Sequence, residues 1–178
     1  MDETAEAPLL VTVELDAESF ATLEGLRRRY FPPERNFIPA HVSLFHHLPP
    51  GERDAVERAL ARAAARPAPV LRFGRLRRLG RGMATDVEAP ELAAVHRELA
   101  ADFAPWLTPQ DRQPFRPHVT LMNKATPDEA ERAFIELGAG WARWEGRGEA
   151  LLLWRYLGGP WALAARFPFG APGAAPGG

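Results

Sequence analysis

Two short stretches carry the same chemistry. His41-Val42-Ser43-Leu44 and His118-Val119-Thr120-Leu121 are one tetrapeptide apart from Ser for Thr, and a little under half the chain separates them. The chain has five histidines, and two of them head this motif. Imidazole titrates near pH ~6.5, so in a pair one ring can be neutral while the other is protonated. The neutral ring can take a proton from an attacking hydroxyl or water, and the charged ring can give one to a leaving alkoxide. Each transfer is worth roughly 10²–10⁴-fold in rate. Ser43 and Thr120 supply hydroxyls that can donate to non-bridging phosphate oxygens, where charge must be held as bonds change. The pattern suits phosphoryl transfer, with His41 and His118 as catalytic candidates and Ser43 and Thr120 as phosphate ligands.

Strand geometry nominates the neighbours. Side chains alternate across a strand. His41, Ser43, Phe45 and His47 should therefore share one face, and His118, Thr120, Met122 and Lys124 another. A pseudo-two-fold would bring the two faces together across a cleft. Phe45 could then stack on a base or belong to the core. His47 and Lys124 would stand at the rim. Arg116, two residues before His118, would offer a guanidinium that can grip phosphate with two bonds. His46 should point to the opposite side of its strand, and no carboxylate lies within that segment, so no metal site is expected. His96, flanked by Arg97 and Glu98, reads as a solvated helix residue. Trp106, Trp141, Trp144, Trp154 and Trp161 read mostly as core, with Trp154 and Tyr156 as weaker stacking candidates. Arg27 to Arg29 and Arg72 to Arg81 read as solvated basic faces, one of which could instead face RNA.

The chain that must position these groups has 178 residues, 46% apolar and 25% charged, which is the composition of one globular domain. Its 22 Lys and Arg nearly cancel 23 Asp and Glu, so it lacks the basic excess of a general polyanion binder. The absence of cysteine removes disulfides, thiolate zinc sites and cysteine nucleophiles. Met1 to Pro8 is acidic and has no signal-peptide pattern, and no apolar run approaches a bilayer's thickness. A cytoplasmic monomer without cofactor is the expectation.

Breakers and periodicity divide the chain into elements. Leu9 to Leu15 reads as a strand and Asp16 to Tyr30 as a helix; Phe31 to Asn36 is a loop. Phe37 to Leu48 contains a strand, and Glu52 to Arg66 is a helix stopped by Pro67. Val70 to Leu79 and Gly82 to Glu88 form a hairpin at Gly80-Arg81; Pro90 opens a helix reaching about Phe103, and Pro105 to Pro114 is a loop. Phe115 to Lys124 contains a strand. Thr126 caps a helix that ends at Gly138 or Gly140, and Leu151 to Leu157 pairs with Trp161 to Phe167. The order nearly repeats, which points to an internal duplication. No glycine-rich phosphate loop follows a strand, which argues against a doubly wound sheet. Residues 1–8 and 170–178 are expected to be disordered ends, with lobes of roughly 9–80 and 81–169 between them.

The paired motif resembles that of the 2H phosphoesterase superfamily, in its 2′-5′ RNA ligase-like branch, over roughly Leu9 to Phe169. The flanking Pro39-Ala40 and Arg116-Pro117 resemble the family's contexts too. The resemblance implies an α+β fold of two pseudo-symmetric lobes, each an antiparallel sheet with helices packed outside, around a central groove. It implies a metal-independent phosphoesterase that acts on 2′,3′-cyclic phosphates or 2′-5′ bonds, with RNA ends or small cyclic nucleotides as partners. It further implies His118 as base and His41 as acid in cyclic-phosphate hydrolysis. A nucleotide- or RNA-binding module with the same groove and little turnover is the alternative. A ligase joining RNA ends through 2′-5′ bonds is a third reading, since both directions use the same groups.

Overall fold

The computed structural model describes residues 6–170. The elements run β1 (Leu9–Leu15), α1 (Ala17–Tyr30), β2 (Val42–Leu48), α2 (Arg53–Ala64), β3 (Val70–Leu79), β4 (Gly82–Glu88), α3 (Pro90–Asp102), β5 (His118–Met122), α4 (Pro127–Ala139), β6 (Trp144–Tyr156) and β7 (Trp161–Pro168). The fold is α+β, and every strand pairing is antiparallel. Residues 1–5 and 171–178, parts of the two expected disordered ends, lie outside the described residues. Residues 6–8 are described: Ala7 is buried, and the Pro8 carbonyl accepts from Tyr156 N at 2.9 Å.

The strands follow one path, β2-β1-β6-β3-β4-β5, with β7 on β6. Within it β2-β1-β6 mirrors β5-β4-β3. The repeat β1-α1-β2-α2-β3 and the repeat β4-α3-β5-α4-β6 have therefore exchanged their third strands. A division at 80/81 does not separate the sheets, because β3 pairs with β4 and β6 while the final hairpin joins β1. β6 makes the exchange possible. It begins seven residues before the expected Leu151; Trp144–Arg147 pairs with β3, and Gly148–Arg155 pairs with β1.

Local chemistry explains where the helices dock. Asp16 caps α1 by accepting from Ser19 N at 3.0 Å, and its other oxygen accepts from Arg147 N at 2.8 Å, which ties the helix start to β6. Only a glycine fits at Gly146, since a Cβ there would lie 2.2 Å from Ser19 Oγ. Thr126 and Glu129 form a full capping box on α4. Apolar faces from both repeats meet in one core, in which Leu23, Phe45, Leu60, Phe73, Met83, Leu99, Phe103 and Leu121 are fully buried. Helix α1 packs against β5 of the other repeat. No helix among the described residues is long and apolar enough to cross a membrane.

Candidate functional site

His41 immediately precedes β2, and His118 opens β5. Both line one groove of about 450 Å³, together with Ser43, Thr120, Arg116, His46, His96, Asp111, Phe115 and Trp161. Five of the eight candidate residues thus share a groove. The hydroxyl residues hold equivalent places: Ser43 lies opposite Thr12 of β1, and Thr120 lies opposite Ala84 of β4.

The two imidazoles are held alike. His41 Nδ1 lies 2.7 Å from the Pro39 carbonyl, and His118 Nδ1 lies 2.9 Å from the Arg116 carbonyl. A carbonyl oxygen only accepts, so each Nδ1 carries the proton. Each Nε2 is left to exchange protons with a ligand. In both cases the carbonyl sits two residues before the histidine, so the motif's flanks, Pro39-Ala40 and Arg116-Pro117, fix the tautomer.

Their surroundings differ. Burial pushes His41 down to about 4, against the opposing pull of the Pro39 carbonyl bond; the charges of Arg27, His46 and His118 act in the same direction as burial. The ring is neutral at pH 7. Trp161 covers it at a centroid distance of 5.0 Å. Trp161, expected in the core, is a half-buried wall of the groove.

Beneath the groove lies a buried cation that sequence reasoning treated as part of a solvated cluster. Arg27 is 3% exposed. Its guanidinium donates to the Thr120 carbonyl at 2.6 Å, to the Ile38 carbonyl at 2.7 Å and to Asn36 Oδ1 at 3.0 Å. It also lies over the Phe31 ring at 4.5 Å. One side chain from α1 thus joins the loop that delivers His41 to the strand that carries Thr120. Burial lowers its proton affinity, with Glu24 opposing, yet a guanidinium stays charged. Arg27 Nε is buried without a partner among the described residues.

Three of the expected contacts fail, two at a bulged strand and one beyond a strand end. The β1–β2 register shifts between Leu9 and Val11 and again between Val11 and Thr12, and the β4–β5 register shifts between Met83 and Ala84. Bulges break the alternation of side chains. Phe45 turns into the core at 0% exposure and cannot stack on a ligand. His47 is exposed and does not line the groove; His46, expected to face away, lines it instead. Lys124 has left β5, adopts φ 59°, and lines a separate cavity with Arg81 and Glu129.

His96 is not solvated. It is sandwiched between Phe45, at 4.8 Å and 6°, and Phe115, at 4.1 Å and 3°. Burial lowers its proton affinity, which Asp111 and the Leu44 backbone oppose. Phe115, at the outer end of this stack, is the aromatic face that the groove presents. Trp154 donates to Thr12 Oγ1 at 2.8 Å, and Tyr156 is exposed outside the groove lining.

The loop before β5 contributes a residue that no motif announces. The Asp111 side chain is 1% exposed. It accepts from His46 Nδ1 at 2.8 Å and from the backbone N–H groups of His46 and His47 at 2.9 and 3.1 Å. Burial would raise its proton affinity; these bonds outweigh burial and hold the carboxylate ionised. Asp111 stands 65 residues from His46, and only the closed fold brings them together. Among the described residues no three or more His, Cys, Asp or Glu side chains form a metal-binding group.

The sequence profile of the 2′-5′ RNA ligase superfamily matches residues 14–160. The fold is shared with TT0787 of Thermus thermophilus, at 20% identity and TM-score 0.67, covering 93% of this chain and 99% of that one. It is also shared with E. coli LigT complexed with 3′-AMP, at 17% identity and TM-score 0.65, covering 93% and 99%. LigT complexed with phosphate is similar at 15% identity and TM-score 0.58, covering 93% and 98%. No curated protein matches the sequence.

Proposed function

This chain belongs to the 2′-5′ RNA ligase superfamily, and from that premise we propose that it is a metal-independent phosphoesterase opening 2′,3′-cyclic phosphates of RNA ends or nucleotides. One observation carries the reading. Two histidines from the two repeats line one groove, and each spends Nδ1 on a backbone carbonyl so that Nε2 is the working nitrogen. The phosphate and 3′-AMP belong to LigT; a phosphate here would lie between His41 and His118, with Ser43 and Thr120 donating to its non-bridging oxygens.

Hydrolysis then balances simply. Water attacks phosphorus and one Nε2 takes its proton. The bond from phosphorus to one ribose oxygen breaks, and the other Nε2 gives that oxygen its proton. The family's polarity makes His118 the base and His41 the acid. Burial keeps His41 neutral in the empty groove. Its proton is therefore taken up from solvent as the phosphate binds, the anion's negative charge offsetting the cost of charging a buried ring. Arg27 stiffens the arrangement from below and adds positive potential without entering the groove lining. The reverse direction, with a 5′-hydroxyl in place of water, gives 2′-5′ ligation from the same groups.

The test is a substrate panel in EDTA: mononucleoside 2′,3′-cyclic phosphates, cyclic-phosphate-ended oligonucleotides and 2′-5′-linked dinucleotides. Opening of a cyclic phosphate is expected, and chelation should leave it unchanged. Binding without turnover of any of them would make the chain a nucleotide- or RNA-binding module. Turnover that vanishes with EDTA and returns with a divalent ion would contradict the metal-free mechanism.

A further inference from the structure

Resting on the reading of the groove as a site for a nucleotide's terminal phosphate, we infer that its His46–Arg116 side is a subsite for a second phosphate, the one on the 5′ side of the same nucleotide. His46 and Arg116 line the groove with the motif histidines, and Gln110 and Gln113 accompany them. Arg116 is exposed and makes no ion pair with any described residue, so its guanidinium is available to an anion. Asp111 is the one carboxylate in this lining. It is spent internally: its oxygens accept from His46 Nδ1 and from two backbone N–H groups, and its side chain is almost wholly buried. Asp111 therefore orients His46 rather than repelling a ligand. With Nδ1 bonded to Asp111, His46 keeps Nε2 free for a ligand, and a ring carrying both protons would give one N–H to the carboxylate and the other to a phosphate oxygen beside Arg116.

The neighbouring space argues the same assignment by contrast. A cavity of about 470 Å³ shares His41 with the groove. Phe20, Leu152 and Trp154 give it apolar walls, and its charged lining residues are Glu14 and Glu149. It offers a second phosphate no lysine or arginine. The groups that could hold one, Arg116 and the His46 ring, line the groove instead. A substrate with a 5′-phosphate, such as the last nucleotide of an RNA strand, satisfies them; an unphosphorylated nucleoside 2′,3′-cyclic phosphate does not.

Binding tests this without requiring turnover. The affinities of adenosine 3′,5′-bisphosphate and 3′-AMP are compared by calorimetry for the wild type, His46→Ala and Arg116→Gln. His46 and Arg116 are both exposed at the groove, so neither substitution removes core packing. The bisphosphate is expected to bind at least tenfold more tightly to the wild type, with each variant bringing the ratio toward one. Equal affinities in the wild type, or a preference that survives both substitutions, would overturn the subsite. The two readings fail separately. A chain that prefers the bisphosphate and opens no cyclic phosphate keeps the subsite and loses the enzymatic reading. A chain that opens cyclic phosphates with no bisphosphate preference loses only the subsite.

Discussion

His41 and His118 make the same bond to a carbonyl two residues back, and little else about their surroundings matches. His41 lies under Trp161, above the buried Arg27, and burial holds it neutral to about pH 4. His118 opens an edge strand beside the exposed Arg116. The two repeats thus offer the same atom of each ring in different surroundings. If the rings work as acid and base, one must be charged while the other is neutral; the empty groove makes His41 the neutral one, and a bound phosphate would have to charge it before it could act as the acid.

The strongest way to break this comparison is to remove each ring. His41→Ala and His118→Ala are each expected to cost roughly 10²–10⁴-fold in kcat on a 2′,3′-cyclic nucleotide, with 3′-AMP binding much less affected. Because the rings act as a unit, the double variant should be little slower than either single one. A His118→Ala protein that keeps most of its rate would leave the groove as a phosphate-binding site without acid–base catalysis.

Arg27 sharpens the contrast, since its buried charge opposes protonation of His41 from below. Arg27→Met leaves the carbonyls of Thr120 and Ile38 without their donor. A bond to a charged donor is worth about 1.5–3 kcal/mol, so a stability loss of about 2–4 kcal/mol in urea denaturation is expected. It also removes a positive charge near His41, so the His41 proton affinity should rise in an NMR titration. Arg27→Lys restores the charge without the planar fork; it should return the His41 titration toward wild type more fully than it returns stability. A purely structural Arg27 would leave the His41 titration where it was.

The depressed His41 has a signed consequence for stability. Its folded-state value of about 4 lies below the ordinary 6.5, so between these limits the unfolded chain binds more protons. Stability is fully present above pH ~6.5 and is lost as pH falls through 4. The loss from this ring is at most about 3 kcal/mol, less what solvent at its partly exposed edge screens. Denaturation across that window should flatten in His41→Gln. Phosphate binding should reverse the sign locally: calorimetry at pH 6–7 in buffers of different ionisation enthalpy should show proton uptake, most of it lost in His41→Gln.

These tests also mark what the sequence could and could not reveal. The motif pair, the strands around it and the helix caps were legible, because tetrapeptide repetition, breakers and capping residues are local signals. Phe45 and His47 were misplaced because a bulge leaves no trace in an alternating pattern, and one inserted residue exchanges His47 for His46; Lys124 was misplaced because the strand stops at Met122. Arg27 and Asp111 were invisible for another reason. The farthest partner of each lies 93 and 65 residues away, and a buried charge in a polar-looking stretch reads as a solvated one until its partners close over it. The exchange of third strands was hidden likewise, since the first half of β6, with Glu145, Gly146 and Arg147, has no apolar run to announce it.

The smallest effects should come from the hydroxyls, where the two repeats differ by one methyl. Ser43→Ala and Thr120→Val each remove one donor to a phosphate oxygen, about 1.5–3 kcal/mol in kcat/KM if that bond tightens as charge builds. Exchanging the residues keeps both donors. Thr120→Ser loses a methyl on a strand whose carbonyl Arg27 already pins, so the strand should stay in place and the cost should be below about 1 kcal/mol. Ser43→Thr adds a methyl opposite Thr12, which is fully buried, and Ser43 has no counterpart of the Arg27 bond on its own carbonyl. The first swap should therefore be milder than the second. Equal and large losses in both would mean that the methyl, not the hydroxyl, sets the groove's geometry; equal and negligible losses would mean that Arg27 contributes no rigidity the Ser43 strand lacks.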